Sequence, residues 1–216
     1  MRMKEVCYAG GVEEQARSRL WRRVARRLLS GSARCRLHMW FGDLWVAYRK
    51  DRRHLDRELI PVIGRRGGKV LFIGCRKYTK HCPRLLAARG LECWTIDIDP
   101  IAARWGAPER HVIGDILDEP SHWPASSFDT IILNGVFGFG LNSERDQDAA
   151  LRACRLLLAK DGWLVLGWNT DRSVDPSELP TLQDLFRPSS IPGLAQRQTF
   201  AKSTHVYATF TAVEVE

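Results

Sequence analysis

The sequence predicts an α/β protein built on a mostly parallel sheet with helices on both faces. Short apolar runs, such as residues 70–73, have the length and composition of strands that are buried on both faces. Segments with helical spacing separate these runs. Glycine turns or acidic residues follow the runs directly. The strands are therefore expected to run parallel, with their carboxyl ends at one edge of the sheet.

Residues 69–100 form the first βαβ unit of this pattern, and the rest of the chain is arranged around it. The first apolar run ends at Gly74, which begins a turn. A helical segment follows and closes at Gly90, in the position typical of a helix C-terminus. A second strand over residues 93–96 then finishes on Asp97. A unit of this kind binds the adenosine part of a cofactor.

Asp97 has the position of a ribose ligand, because a carboxylate there can accept hydrogen bonds from both ribose hydroxyls. Dinucleotides and S-adenosylmethionine (SAM) both carry this ribose. A pyrophosphate requires a G-x-G-x-x-G turn whose backbone amides close on the phosphates. The turn here reads G-C-R-K-Y from Gly74 to Tyr78, and the chain contains no Tyr-x-x-x-Lys pair of a short-chain dehydrogenase. These features favour SAM over a dinucleotide.

The turn resembles the first motif of class I SAM-dependent methyltransferases, which reads roughly V-L-D-I-G-C-G-T-G. The matching residues are Val70, Leu71, Ile73, Gly74 and Cys75. Phe72 replaces the acidic residue of that motif, and Arg76 and Tyr78 replace its second and third glycines. The first motif is therefore divergent in this chain.

Three further motifs follow in the order of this family. Residues 111–116 resemble a third strand that ends on Asp115, where the family's acid accepts a hydrogen bond from the adenine amino group. S-F-D-T-I-I-L-N-G over residues 127–135 is similar to the fourth motif, and L-x-x-D-G-W-L-V-L over residues 158–166 is similar to the fifth. The resemblance covers residues 69–169.

The resemblance implies a Rossmann-like class I methyltransferase fold. Its sheet has seven strands, is mostly parallel and ends in an antiparallel hairpin, which we expect around residues 196–211. It also implies SAM as the cofactor. The cofactor-binding positions that it implies are Gly74, Cys75, Arg76, Tyr78, Asp97, Ile98, Asp115, Ile116, Asn134 and Gly135.

Methyl transfer from a sulfonium is an in-line displacement. The protein must align the nucleophile and, for a hydroxyl acceptor, remove its proton. The reacting groups should lie at the ends of the first, fourth and fifth strands, and the predicted catalytic residues are Asn134, His205 and Asp171. His111 is an alternative base. An amine acceptor could need no base.

The excess positive charge lies entirely in the N-terminal segment. Residues 1–60 hold 15 Lys or Arg and 7 Asp or Glu, whereas the remaining residues hold 18 of each. Helical patterns occupy residues 13–30 and 39–60, the second ending at Pro61. We predict a basic helical lid over residues 1–60, with aromatic residues facing the acceptor, and a SAM-binding methyltransferase domain over residues 61–216. A targeting segment is the competing interpretation of the basic helices.

The cysteines indicate a reducing, cytoplasmic setting. The chain has six of them and no C-x-x-C pair, so buried thiols are expected in place of disulfides or zinc ligands. No His, Cys and Asp residues have metal-ligand spacing along the chain, so no metal is predicted. No apolar run reaches the length that spans a membrane.

The sequence predicts an enzyme that transfers a methyl group from SAM to an O or N atom of a small-molecule acceptor, for example a natural product or a sugar. Two other functions stay open. One is an RNA or other anionic-polymer methyltransferase that uses the basic N-terminal helices, in which case nucleic acid is the partner. The other is a methyltransferase-like binding protein that has lost catalysis. The acceptor and the oligomeric state are left open.

Overall fold

The computed structural model describes residues 50–189 and 191–213, except for the side chains of residues 119–121. The strands are β1 (Lys69–Ile73), β2 (Glu92–Asp97), β3 (His111–Ile113), β4 (Phe128–Asn134), β5 (Leu158–Asn169), β6 (Phe186–Pro188), β7 (Arg197–Phe200) and β8 (Ser203–Ala212). They form one sheet in the order β3-β2-β1-β4-β5-β8-β6, and β7 also pairs with β8.

The first five strands pair in parallel, and β8 is antiparallel to β5. This arrangement confirms the predicted fold class and the terminal hairpin of β7 and β8. In the described residues the sheet has eight strands where seven were predicted, because β6 and β7 both pair along the outer side of β8. The sequence gives no sign of β6, since it has three residues and ends on Pro188.

Helices cover both faces of the sheet. The helices are α1 (Lys50–His54), α2 (Ile60–Arg66), α3 (Cys82–Ala87), α4 (Glu144–Leu157) and α5 (Pro180–Leu185), and a π-helical turn, Leu55–Leu59, joins α1 to α2. Short 3₁₀ turns occupy Lys77–Thr79, Pro100–Arg104, Ile116–Ser121 and Pro176–Glu178. No helix in the described part of the chain has the length and apolar character needed to cross a membrane.

Alternate residues of the central strands pack into two separate cores, as the period of a strand requires. On one face, Leu71 and Leu133 pack with the apolar side of α4. On the other face, Phe72 packs with Leu55 and Leu59 from the π turn. Phe72, which replaces the acidic residue of the first motif, is therefore a core residue of the helical face.

Pro61 does not end the helix, contrary to the sequence prediction. The Ile60 N–H donates to the Leu55 carbonyl, five residues earlier, and Pro61 then stands in the first turn of α2. The fixed φ angle of proline is compatible with this position at the start of α2. The boundary that we predicted between residues 60 and 61 falls inside this continuous helical segment.

Two glycines alone connect α2 to β1, and both have positive φ angles. Gly67 has φ +79° and Gly68 has φ +89°. A Cβ on Gly68 would collide with the side chain of Asp129, whose Oδ2 accepts a hydrogen bond from the Lys69 N–H at 2.7 Å. A Cβ on Gly67 would meet nothing within 4 Å.

Gly68→Ala should therefore destabilise the protein more than Gly67→Ala. Each substitution places a side chain at positive φ, at a cost of about 1–3 kcal/mol. Only Gly68→Ala adds a steric collision, which should lower the free energy of unfolding by about 1–3 kcal/mol more. Urea unfolding of the two variants measures the difference. Equal losses of stability would contradict the contact between Gly68 and Asp129.

Candidate functional site

A cleft opens at the carboxyl ends of β1, β2 and β3. It is bordered on the other side by the loop that follows β4. The residues that line it are Ile73, Gly74, Arg76, Ile96, Asp97, Ile98, Gly114, Asp115, Ile116, Gly135, Val136, Phe139, Gly140 and Leu141. Parallel α/β sheets bind their ligands at this edge. Seven of the ten predicted cofactor-binding residues therefore line one cleft: Gly74, Arg76, Asp97, Ile98, Asp115, Ile116 and Gly135.

Gly74 forms the floor of the cleft, where a side chain would not fit. Its φ is +88°, and its N–H donates to the Ile96 carbonyl at 3.1 Å. A Cβ at this position would lie 2.6 Å from Val136 Cγ2 and 2.9 Å from the Asn134 carbonyl oxygen. The backbone of β1 therefore approaches the end of β4 closely, as a turn that receives a ligand requires.

The Asp97 carboxylate is held by three donors of the protein. Oδ2 accepts hydrogen bonds from the Cys75 N–H and from Arg76 Nη1, both at 2.8 Å. Oδ1 accepts one from the Asp99 N–H at 2.9 Å. A carboxylate has about four acceptor positions. One position on Oδ1 is left for a ligand, and Arg76 would have to release Oδ2 for a second.

Asp115 lies at the end of β3 beside apolar side chains. Its Oδ1 accepts a hydrogen bond from the Leu117 N–H at 3.0 Å, which fixes the carboxylate at the rim of the cleft. Ile98 is 68% exposed and Phe139 is 50% exposed, although both are large apolar residues. With Ile116 they give the cleft apolar walls beside one acid, an arrangement that suits a planar heterocycle with an amino group.

The other three predicted cofactor residues, Cys75, Tyr78 and Asn134, are not among the residues that line the cleft. The Cys75 side chain is buried under the turn. Burial, together with the nearby Asp97 carboxylate, raises the pKa of its thiol to about 12. The ring of Tyr78 lies under the Arg52 guanidinium, with 3.9 Å between the Arg52 Cζ and the ring centroid.

The structure brings two of the three predicted catalytic residues together. A Cβ built on Gly167 of β5 would touch Asn134 Oδ1 and would lie 3.1 Å from His205 Nε2. It would also lie 2.9 Å from the ring of Tyr207. Asn134, His205 and Tyr207 therefore converge on the backbone of Gly167, on the sheet face that α1 and α2 cover.

The other candidate bases lie elsewhere. Asp171 is exposed, in the turn that follows β5. His111 is at the amino end of β3, where its Nδ1 lies 2.8 Å from the Thr95 hydroxyl and burial lowers its pKa. The catalytic edge of a parallel sheet is its carboxyl edge, so His111 is badly placed for a base.

Several residues of the site escaped sequence reasoning. The loop over residues 136–141 closes one side of the cleft. In the sequence, the only sign of this role was the position of the loop directly after the fourth motif. Arg52 lies on Tyr78 through a tertiary contact that has no local signature, and Tyr207 meets Asn134 over Gly167. Tyr207 could have been found as an inward position of a β-strand next to His205.

Asp56, His81 and Cys82 form the one candidate metal cluster among the described residues, with ligand atoms within 4.8 Å of one another. The sequence prediction of no metal site rested on spacing along the chain, and Asp56 is distant from the other two in sequence. His81 Nε2 and Asp56 Oδ1 are 2.8 Å apart. Burial raises the pKa of the Cys82 thiol well above its ordinary value. An ion pair beside a protonated thiol accounts for this geometry.

Neither protein-family models nor curated proteins match the chain by sequence. Solved structures do match it. N-methyltransferase NodS from Bradyrhizobium japonicum WM9 in complex with S-adenosyl-L-homocysteine (SAH) is 21% identical, with a TM-score of 0.59 over 80% of this chain and 93% of that chain. A TehB-like SAM-dependent methyltransferase from Corynebacterium glutamicum is 20% identical, with a TM-score of 0.56 over 94% and 100%.

A third similar structure is 1,6-didemethyltoxoflavin-N1-methyltransferase from Burkholderia thailandensis, with bound 1,6-didemethyltoxoflavin and SAH. It is 16% identical, with a TM-score of 0.52 over 82% of this chain and 90% of that chain. These likenesses confirm the predicted fold. The chain has the Rossmann-like fold of class I SAM-dependent methyltransferases.

The raised thiol pKa of Cys75 predicts a loss of stability in alkali. An unfolded cysteine ionises near pH 8.5, whereas the folded Cys75 thiol keeps its proton to about pH 12. Between these values only the unfolded state releases the proton. Ionisation of the thiol in the unfolded state therefore lowers the free energy of unfolding by about 1.4 kcal/mol for each unit by which the pH rises. Cys75→Ala should make the decline between pH 9 and pH 11 shallower by about that slope.

Urea unfolding of both proteins at several pH values measures this change. Cys93 serves as the comparison, because burial also raises the pKa of its thiol to about 12 and Cys93→Ala should have a similar effect. An unchanged slope in Cys75→Ala would show that its thiol already ionises in the folded protein.

Proposed function

We propose that this protein is a SAM-dependent methyltransferase that transfers a methyl group to an O or N atom of a small-molecule acceptor. One observation carries the proposal. Two acids, Asp97 and Asp115, end successive parallel strands and face one cleft whose floor is the Gly74 turn. Solved methyltransferases with the same fold, two of them bound to SAH, support it.

The residues present fit SAM. Asp97 would accept a hydrogen bond from the ribose, and Asp115 would accept one from the adenine amino group. Ile98 and Ile116 would flank the adenine ring. The Gly74 turn and Gly135, where side chains are absent, would receive the methionine end. SAM itself supplies an activated methyl group on sulfur, so the protein has to bind, orient and, where needed, deprotonate the acceptor.

Asn134 and His205 are the side chains best placed to meet an acceptor. Asn169 Oδ1 lies 3.0 Å from His205 Nδ1, so an Nδ1–H tautomer would donate to it. That tautomer makes Nε2, the atom near Gly167 and Asn134, the basic nitrogen of the ring. His205 is therefore proposed as the base for a hydroxyl acceptor. The third predicted catalytic residue, Asp171, is exposed in its turn and is assigned no step.

The acceptor class is inferred from the similar structures. Two of them are named as N-methyltransferases, and one was solved with 1,6-didemethyltoxoflavin, a small molecule. This bound molecule supports a small-molecule acceptor over a polymer. The cytoplasmic setting is proposed on the thiols, because Cys75, Cys82, Cys93 and Cys154 are buried and form no disulfide.

The basic N-terminal lid stays part of the proposal, although residues 1–49 lie outside the described residues. The described end of the segment supports it. The Ser203 hydroxyl donates to Asp51 Oδ2 at 3.1 Å, and the His54 ring lies 5.6 Å from the ring of Tyr207. Helix α1 is thus attached to the carboxyl edge of the sheet, where a lid would have to meet the acceptor.

Asp97→Ala should weaken SAH binding at least tenfold. It removes a carboxylate from the ribose site, and charge-assisted hydrogen bonds are the strong ones in such a site. Isothermal titration with SAH measures the loss. Asp99→Ala is the control, because Asp99 caps the Pro100–Arg104 turn through Ile101 and its side chain does not line the cleft.

Asp99→Ala should bind SAH within about twofold of the unchanged protein. A loss below twofold in Asp97→Ala would remove Asp97 from the ribose site. Failure of the unchanged protein to bind SAH at all would refute the proposed function. Asp97→Asn repeats the comparison with a side chain of the same shape, should the alanine variant fold poorly.

A further inference from the structure

Arg52 is a partly buried cation, and two of its three guanidinium nitrogens lack a hydrogen bond within the described residues. Its guanidinium stacks on the ring of Tyr78 at 3.9 Å. Nε and Nη1 are buried, and neither makes a hydrogen bond within the described part of the chain. A buried donor without a partner costs about 1–3 kcal/mol, and more when it is charged. Native structures rarely leave such a group without a hydrogen-bond partner.

Two neighbouring side chains share this condition. The amide of Asn134, 2% exposed, has neither its oxygen nor its nitrogen paired among the described residues. The hydroxyl of Tyr207, 1% exposed, is also without a hydrogen bond there. We call Arg52, Tyr78, Asn134 and Tyr207 the polar cluster. Its members come from α1, the turn after β1, β4 and β8.

The polar cluster lies beside the cofactor cleft but does not line it. A Cβ built on Gly135, which does line the cleft, would be 3.6 Å from the Tyr78 hydroxyl. Asn134 and Tyr207 meet over Gly167, further along the sheet towards β8. The unpaired groups therefore continue the site from the cofactor position towards the place that an acceptor would occupy.

Arg52 is the positive charge that acts on the polar cluster. Burial raises the pKa of Tyr207, and the charge of Arg52 opposes that rise. Cys82, Asp51 and Tyr78 act in the other direction on the pKa of Tyr207. Asp56 also lies near, since its charge and that of Arg52 both act on the Cys82 thiol, but its Oδ1 lies 2.8 Å from His81 Nε2. Asp51 accepts a hydrogen bond from Ser203, yet neither buried nitrogen of Arg52 donates to it. An oxyanion would pair with Arg52 at this position.

We propose that the methyl acceptor carries a carboxylate or phosphate group, which Arg52 binds. This inference rests on the proposed function. Asn134 and Tyr207 then hydrogen-bond the polar atoms of the acceptor nearer to the methyl group. The same side chains would make the site specific for anionic acceptors. An acceptor without the anion would leave Arg52 buried and unpaired, and sites of this kind reject such analogues strongly.

The carboxylate of SAM itself is the other source of the same chemistry. The location of the polar cluster argues against it, since Arg52, Tyr78, Asn134 and Tyr207 are all absent from the lining of the cofactor cleft and extend to β8. Methylthioadenosine separates the two sources, because it has the adenosine and sulfur of SAH but no amino acid group.

The test uses the full chain, with Arg52→Gln and with Arg53→Gln as the control. Arg53 is the next residue of α1 and is exposed, so its replacement removes the same charge from solvent. SAH and methylthioadenosine are titrated first. Phosphate and acetate are then titrated into protein saturated with SAH, at constant ionic strength. Affinities come from calorimetry, and the Arg52 Nε–H resonance is followed by NMR in the unchanged protein.

We expect Arg52→Gln to bind SAH and methylthioadenosine within about twofold of the unchanged protein and to lose at least tenfold in affinity for phosphate or acetate. Arg53→Gln should retain anion binding. The inference is overturned if Arg52→Gln binds the anions normally, or if Arg53→Gln loses them equally. It is also overturned if Arg52→Gln weakens SAH but not methylthioadenosine, since Arg52 would then serve the cofactor.

Failure of this inference can be distinguished from failure of the proposed function. SAH binding with no anion site would leave the methyltransferase proposal standing and remove this inference. An anion site without SAH binding would refute the proposed function instead. Should Arg52→Gln not fold, Arg52→Lys keeps the charge, and an Arg52 Nε–H resonance that does not shift with phosphate or acetate would overturn the inference.

Discussion

The carboxylate of Asp97 joins the ends of β1 and β2, and the cleft depends on that connection. One oxygen accepts from Cys75 and Arg76 in the turn after β1, while the other accepts from Asp99 beyond β2. Under the proposed function this side chain would meet the ribose, so a single group would both order the turn and bind the ligand. Arg76 is 41% exposed in its side chain and can leave the carboxylate for solvent, which makes it the donor that a ribose hydroxyl would replace.

The two faces of the sheet differ in polarity near the cleft. The face under α4 is apolar to its end, and it gives the cleft its support through Ile73 and Leu141. The face under α1 and α2 is largely apolar around Phe72 and Val165, but β4 carries two buried polar side chains on it, Thr130 and, at its end, Asn134. A helix that packs by its apolar residues thus ends over polar groups. The change occurs at the π turn, a helical irregularity that is often found at functional sites.

The sequence was sufficient to predict those site residues that end a strand or closely follow one in the chain. Gly74 follows a buried strand, Asp97 ends another, and Asp115 follows the short, partly exposed β3. Parallel topology then brings all three to the same edge. Arg52 could not be found in this way, because its contact with Tyr78 depends on the direction in which α1 leaves the sheet. Pro61 misled for a related reason. Proline usually ends a helix, but here a π turn precedes it and the helical segment continues through Pro61.

The outer side of β8 has a consequence for self-association. An unpaired strand edge offers N–H and C=O groups to which a second chain can add a strand. Here that side is occupied by two short pieces, β6 and β7, separated in sequence and set at different places along β8. Pro188 removes one donor from the first piece, and at the opposite end of the sheet β3 has only three residues. Within the described residues, neither side of the sheet presents a long straight edge to which a second copy of this chain could add a strand.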